Sequence, residues 1–275
     1  MRESFFSHPV KNYLSKRLEE SEHILELLMT MEIEDAWQSA PEVMAEKFRA
    51  QFESDDQLIR GLIWELFVWR NLQLQGHQVT YEESIPGSVK KLDFKIKSAS
   101  GYEFYIEAKS IGPNEESLIS ENTDQKEDFD LELRKILSSH LRQIEDYNAT
   151  PVLLAFSNSF TKLIETPFEK VRSLYGQPGI RIDLNTGESQ ATILDEGFWF
   201  RNSLDGRSFD GIIFHNGLVP GFSSFQAPSL WLNPNPIFKF DYKELLWPMD
   251  IYRSEEMLYK TSKQENYIWK EVRIF

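Results

Sequence analysis

The chain reads as an α/β protein with a mixed central sheet flanked by helices. Three observations predict this. A capped helical segment at 54–75 precedes three closely spaced strand-like runs between residues 78 and 110. Turn residues at Ser98–Gly101 fold the last two runs into a hairpin. A second helical stretch, 127–148, then leads into Pro151–Ser157 (PVLLAFS), a continuous apolar run of the kind buried on both faces of a sheet.

Each element has a local cause. Residues 1–50 are polar and helix-like, with an apolar patch at Ile24, Leu25, Leu27, Leu28 and Met29, and Pro41 suits the first position of a short helix. In 54–75, Ser54 with Gln57 fits a capping box, Asp55 and Asp56 suit the positive helix start, and Gly76 stands where a C-terminal glycine belongs. The strand-like runs are Gln78–Glu83, Val89–Lys97 and Tyr102–Ser110. Residues 111–126 are acidic and read as a loop; 161–175 read as helical. Ala191–Leu194 and Asp210–His215 read as strands. Pro234 and Pro236 keep the segment around them extended. One domain is expected, made of an N-terminal helical extension (1–50), a core (51–160) and a C-terminal part (161–275) packed on that core.

Composition removes several function classes. Without cysteine, disulfide frameworks, zinc ribbons, iron–sulfur clusters and thiol nucleophiles are excluded. A net charge of −14 argues against a basic whole-surface coat for nucleic acid or anionic membrane. No apolar run is long enough for a membrane span, and the first twenty residues lack a signal-like apolar stretch, so a soluble cytoplasmic protein is expected. Phosphate-loop, dinucleotide-binding, zincin and hydrolase-elbow motifs are missing. The five histidines, at 8, 23, 77, 140 and 215, show no ligand spacing.

The chemistry concentrates on the hairpin. A three-residue loop, Ala99-Ser100-Gly101, pairs Lys97 with Glu103 and sets Asp93 opposite Glu107 and Lys91 opposite Lys109. Alternation puts Leu92, Phe94 and Ile96 on one face and Asp93 on the other; Glu107 and Lys109 likewise leave the face of Phe104, Ile106 and Ala108. Opposed Cβ atoms lie about 5 Å apart, so two carboxylates would face each other beside an ammonium. Such a pair raises one carboxyl pKa unless a cation intervenes, and a hard divalent ion is the natural occupant. Glu65 adds to the pattern. It interrupts the stripe Leu58, Leu62, Trp69, Leu72, where a carboxylate needs a metal cluster or a basic residue as partner. The plain alternative is a solvated hairpin face of mixed charge.

With Glu65 on a helix, Asp93 near a strand end and Glu107-Ala108-Lys109 on the next strand, the chain resembles the PD-(D/E)XK nuclease superfamily, which has a restriction-endonuclease-like fold. The resemblance covers about 54–157, in αβββαβ order; Leu92 stands where the family's name-giving proline would be. It implies a Mg²⁺-dependent nuclease, with Mn²⁺ as a substitute ion, acting on DNA in preference to RNA. Asp93, Glu107 and the Ala108 carbonyl would hold the metal. Lys109 would orient the attacking water, mattering for turnover more than for folding, and Glu65 would assist. Gln143 and Tyr147 match an accessory element that some members carry. A homodimer is compatible with this reading and a membrane partner is not expected. Residues 60–109 carry +1 against −15 for the rest, so what basic potential there is lies at the site. The competing reading is an inactive nuclease fold that binds protein or nucleic acid. A third, an acidic scaffold or inhibitor, leaves Glu65 unexplained.

Overall fold

The computed structural model describes residues 2, 4–5, 31, 33–51, 56–84, 91–110, 126–141, 144, 150–157, 170, 173–199, 209–215, 228–234, 236–245, 250–252 and 272–273. It is α/β, with a mixed sheet. The principal elements are α1 (Glu42–Gln51), α2 (Asp56–Leu74), β1 (Gln78–Ser84), β2 (Lys91–Lys97), β3 (Glu103–Ser110), α3 (Lys126–Leu141) and β4 (Val152–Ser157). They are followed by β5 (Gly176–Ile182), β6 (Ser189–Glu196), β7 (Gly211–His215), β8 (Ser229–Leu232), β9 (Asp250–Tyr252) and β10 (Val272–Arg273). Among the described residues the elements from α2 to β4 run helix, three strands, helix, strand. Among the described residues no helix is long and apolar enough to cross a membrane.

The main sheet runs β1-β2-β3-β4-β7-β8-β9-β10, with β5 and β6 as a separate hairpin. Its first three strands are antiparallel, whereas β4 lies parallel to both β3 and β7. The PVLLAFS strand is buried at every position, as its unbroken apolar run requires. Because β7 pairs directly with β4, the C-terminal part extends the same sheet. Asp210 secures this junction: its carboxylate accepts the N–H groups of Val152 (2.8 Å) and Phe238 (3.1 Å).

The hairpin turn follows its sequence. Ser98 N–H donates to the Tyr102 carbonyl at 2.9 Å, Gly101 has φ 87°, and Lys97 pairs with Glu103. The end of α2 is equally legible. Gly76 has φ 78°; its N–H donates to the Gln73 carbonyl, and the next N–H, of His77, donates to the Leu72 carbonyl. That pair of bonds is a Schellman stop. Pro41 immediately precedes α1, and its carbonyl accepts the Ala45 N–H. The expected cap at Ser54 and the patch at 24–29 lie outside the described residues, as does the acidic loop expected over 111–126 except for Lys126, which opens α3. The helix expected over 127–148 runs Lys126–Leu141, and Ile144 already stands in a turn, its N–H donating to the Leu141 carbonyl at 3.0 Å; of the 161–175 helix only residues 170 and 173–175 are described.

Two apolar layers sandwich the sheet. On one face Phe94, Ile96, Phe104, Ile106, Leu153 and Ile213 pack against α2, while Leu92, Tyr105, Leu154, Ile212 and Phe214 join Leu133, Ile136 and Leu137 of α3 on the other. Two expectations are corrected here. First, α2 has more than an apolar stripe, because every side chain from Leu62 to Trp69 is buried. The 33–39 helical stretch and α1 cover its back through Trp37, Met44 and Phe48. Residues 33–48 are therefore part of the core packing. Second, Leu92 does not share a face with Phe94 and Ile96; it belongs to the α3 layer. Alternation breaks at Asp93.

Candidate active site

The break at Asp93 builds the site. Hydrogen-bonded pairs alternate along an antiparallel ladder. Starting from Ser98/Tyr102, the sequence of bonded pairs continues through Ile96/Phe104 and Phe94/Ile106, and Leu92/Ala108 would come next. The ladder instead ends at Phe94–Ile106. The Ala108 N–H turns to the Asp93 carboxylate, donating to Oδ2 at 2.8 Å. In return the Asp93 N–H donates to Glu107 Oε2 at 3.3 Å. So Asp93 and Glu107 do meet, through a clasp of side chains and main chain in place of a flat pair. The expected Lys91–Lys109 pairing does not form. On its other side, toward β1, Lys91 pairs with Ser84, and its ammonium lies 3.8 Å from Glu82.

The neighbouring strand is disturbed at the same level. Pairing of β1 with β2 runs Tyr81–Phe94 and then Glu83–Leu92, omitting the Glu82–Asp93 step. Glu82 has φ 49°, a left-handed conformation that costs a non-glycine residue roughly 1–3 kcal/mol. Consecutive strand residues normally point to opposite faces. Here Tyr81 and Glu82 both reach one ammonium, that of Lys47 on α1, at 2.7 and 2.9 Å.

Glu65 is buried, with 9% of its surface exposed. Its Oε2 accepts the Tyr81 hydroxyl at 2.5 Å and the Lys47 ammonium at 3.4 Å. The partner that an apolar stripe demands is thus a basic residue and a phenol. Burial pushes the Glu65 carboxyl up to about 7, with the Asp93 charge adding to the rise and Lys47 and Tyr81 opposing it. Glu65 therefore faces Asp93, while its direct bonds go to Lys47 and Tyr81.

Glu107 is almost fully buried at 2% exposure. Its Oε1 lies 3.1 Å from Lys109 Nζ. Burial first, and the Asp93 charge second, push its carboxyl up to about 8. Asp93 is raised as well, chiefly by burial, with Lys109 and Lys47 both drawing it back. For Lys109, burial alone would lower the ammonium pKa, but the charges of Glu107 and Asp93 carry the net shift upward. The mixed-charge face is thus no solvated hairpin surface; Tyr105, on the same side of β3, packs against α3. From α3, His140 adjoins the cluster. Burial and the Lys109 charge hold its imidazole down at about 4.

Glu65, Asp93, Glu107 and Lys109 are therefore brought together, and Ala108 takes part through its N–H. Gln143 and Tyr147 lie outside the described residues. Sequence reasoning missed Lys47, Tyr81, Glu82 and His140, which reach the cluster only through tertiary packing. Among the described residues, no three histidine, aspartate or glutamate side chains converge on one metal-sized point. The donor set that remains is two adjoining carboxylates, half-buried Asp93 and buried Glu107, whose charges disfavour each other. This suits a Mg²⁺ ion, which typically takes one or two carboxylates and fills the rest of its shell with water and substrate oxygens.

A separate cavity of about 390 Å³ lies beside Asn233, Pro234 and Lys239. Its two innermost polar residues hold the fold together. Asp210 takes two backbone N–H groups, and the Asn233 amide donates to the Phe209 carbonyl at 2.8 Å. Comparison of the chain with family models, curated proteins and solved structures finds no match.

Proposed function

We propose that the protein is a metal-dependent nuclease of the PD-(D/E)XK type, hydrolysing phosphodiester bonds in nucleic acid, DNA before RNA. One observation carries this reading. Asp93, half-buried, and Glu107, buried, are both raised in pKa and are clasped together at a strand divergence with the Lys109 ammonium 3.1 Å from Glu107. A structural core gains nothing from clustering carboxylates that resist ionisation, since burying charge costs free energy. Perturbed groups of this kind gather where chemistry is done.

Asp93 and Glu107 would hold Mg²⁺ or Mn²⁺, with the Ala108 carbonyl as a further donor. When bound, the ion supplies Lewis-acid charge to the scissile phosphate and lowers the pKa of a water. Lys109 donates hydrogen bonds to the attacking water and to phosphate oxygens, where negative charge develops. Glu65, anchored by Tyr81 and Lys47, keeps a second acidic group beside Asp93. His140, neutral near pH 7, adds no further positive charge near Lys109.

The test is incubation of the purified chain with supercoiled plasmid, single-stranded DNA and RNA in Mg²⁺, Mn²⁺ or EDTA. Cleavage of at least one substrate with metal and of none with EDTA is expected. Equal cleavage in EDTA, or no cleavage of any substrate, would overturn the reading.

A further inference from the structure

We infer that Lys47 is a resident cation on the Glu65 side of the cluster, so that the chain binds one divalent ion and not two. The inference rests on the metal-dependent reading above and specifies the ion count of that same site.

The ammonium is fully engaged. Lysine has three N–H donors. Lys47 Nζ faces three acceptors, the Tyr81 hydroxyl at 2.7 Å, Glu82 Oε1 at 2.9 Å and Glu65 Oε2 at 3.4 Å. A metal ion bound through Glu65 Oε2 would compete with Tyr81 and Lys47 for that oxygen, and one bound through Oε1 would stand beside the Lys47 charge.

The backbone is shaped around this contact. The left-handed turn at Glu82 lets successive residues of β1 meet one ammonium. Strain of this kind persists only where the surroundings enforce it.

The charge count points the same way. Glu65, Glu82, Asp93 and Glu107 bring four carboxylates; Lys47 and Lys109 bring two ammoniums. Fully ionised, the group keeps two negative charges, the charge of one divalent ion. Lys91 stands at the rim, with its side chain 55% exposed, where water screens its 3.8 Å pair with Glu82. Two-metal sites instead place ions about 3.5–4 Å apart between shared carboxylates. Asp93, between Glu65 and Glu107, would be the shared group here, and Lys47 occupies the Glu65 side.

The experiment is calorimetric titration of the full chain with Mn²⁺ alone, paired with electron paramagnetic resonance at saturation. The wild type should take up one ion and show no Mn–Mn coupling. Lys47→Met keeps the aliphatic stem and deletes the charge, and should take up a second ion with coupled spectra. Lys47→Arg should stay at one. Thermal unfolding checks that each variant folds; if the Met variant does not, Lys47→Gln keeps N–H donors without charge and should also gain the second ion. Two ions in the wild type overturn the inference and leave the nuclease reading intact. One ion in both the wild type and the charge-deleted variant overturns it likewise. One ion in a wild type that cleaves nothing sinks the nuclease reading but not the ion count. No binding by any form overturns both.

Discussion

Asp93 and Glu107 each bond the other's strand: the Asp93 carboxylate accepts the Ala108 N–H at 2.8 Å, and the Glu107 carboxylate accepts the Asp93 N–H at 3.3 Å. This exchange replaces the ladder where β2 and β3 part. It holds two carboxylates side by side between the layers of α2 and α3, and it does so at the expense of their ionisation.

That expense makes stability pH-dependent in a defined direction. Glu65 and Glu107 titrate near 7 and 8 in the folded protein, against an ordinary 4.5. Between about 4.5 and 8 the folded state holds protons that the unfolded state has released, so stability falls as pH rises through this window and levels off above it. Below about 4.5 both states are protonated and the contribution is fully present. Urea midpoints in EDTA should therefore drop across the window. Glu107→Gln should flatten the drop, and Mg²⁺ should protect more as pH rises, because metal ligands must be deprotonated. A cluster contribution that increases with pH in EDTA would contradict the assigned shifts.

Lys109→Ala should lower cleavage by roughly 10²–10⁴, the range for a positioned acid–base group. Its effect on stability should depend on pH. Below about 8 Glu107 takes up a proton and the loss stays near 1 kcal/mol. Above that, a buried carboxylate loses its ammonium, and the loss should approach about 3 kcal/mol. Unfolding measured on each side of the Glu107 transition, beside a cleavage time course, checks both halves.

Tyr81→Phe keeps the ring that lies 5.6 Å from Phe94 but removes the hydroxyl joining Lys47 to Glu65. The expected loss is about 1–3 kcal/mol, the penalty for leaving buried polar partners unsatisfied. Denaturant unfolding of the variant measures it. A loss below about 0.5 kcal/mol would mean that Lys47 and Glu65 pair equally well without the phenol.

Much of this arrangement is legible in the sequence because it is local. Gly101 and a three-residue loop fix the register that sets Lys97 against Glu103 and carries Asp93 toward Glu107. Gly76 marks the end of α2, and an unbroken apolar run marks β4 as an interior strand. Glu65 announces itself as a carboxylate among apolar residues. Its partner does not, because Lys47 is an ordinary lysine on a polar helix and meets Tyr81 across 34 residues of sequence. Leu92 misleads for a different reason. Period-two reasoning assumes a continuous ladder, and the β2–β3 ladder ends at Phe94, before it reaches Leu92.

The central claim is that the Asp93–Glu107 pair holds a metal that cleaves nucleic acid. Asp93→Asn tests it most directly, because the amide oxygen can still accept the Ala108 N–H while the charge is removed. Without metal, the variant should fold at least as stably as the wild type, since one of the mutually repelling carboxylates is gone. The deciding measurement is a plasmid, single-stranded DNA and RNA cleavage time course in Mg²⁺ for the wild type and Asp93→Asn side by side. The account predicts Mg²⁺-dependent cleavage by the wild type and none by the folded variant; cleavage by Asp93→Asn at the wild-type rate would contradict it.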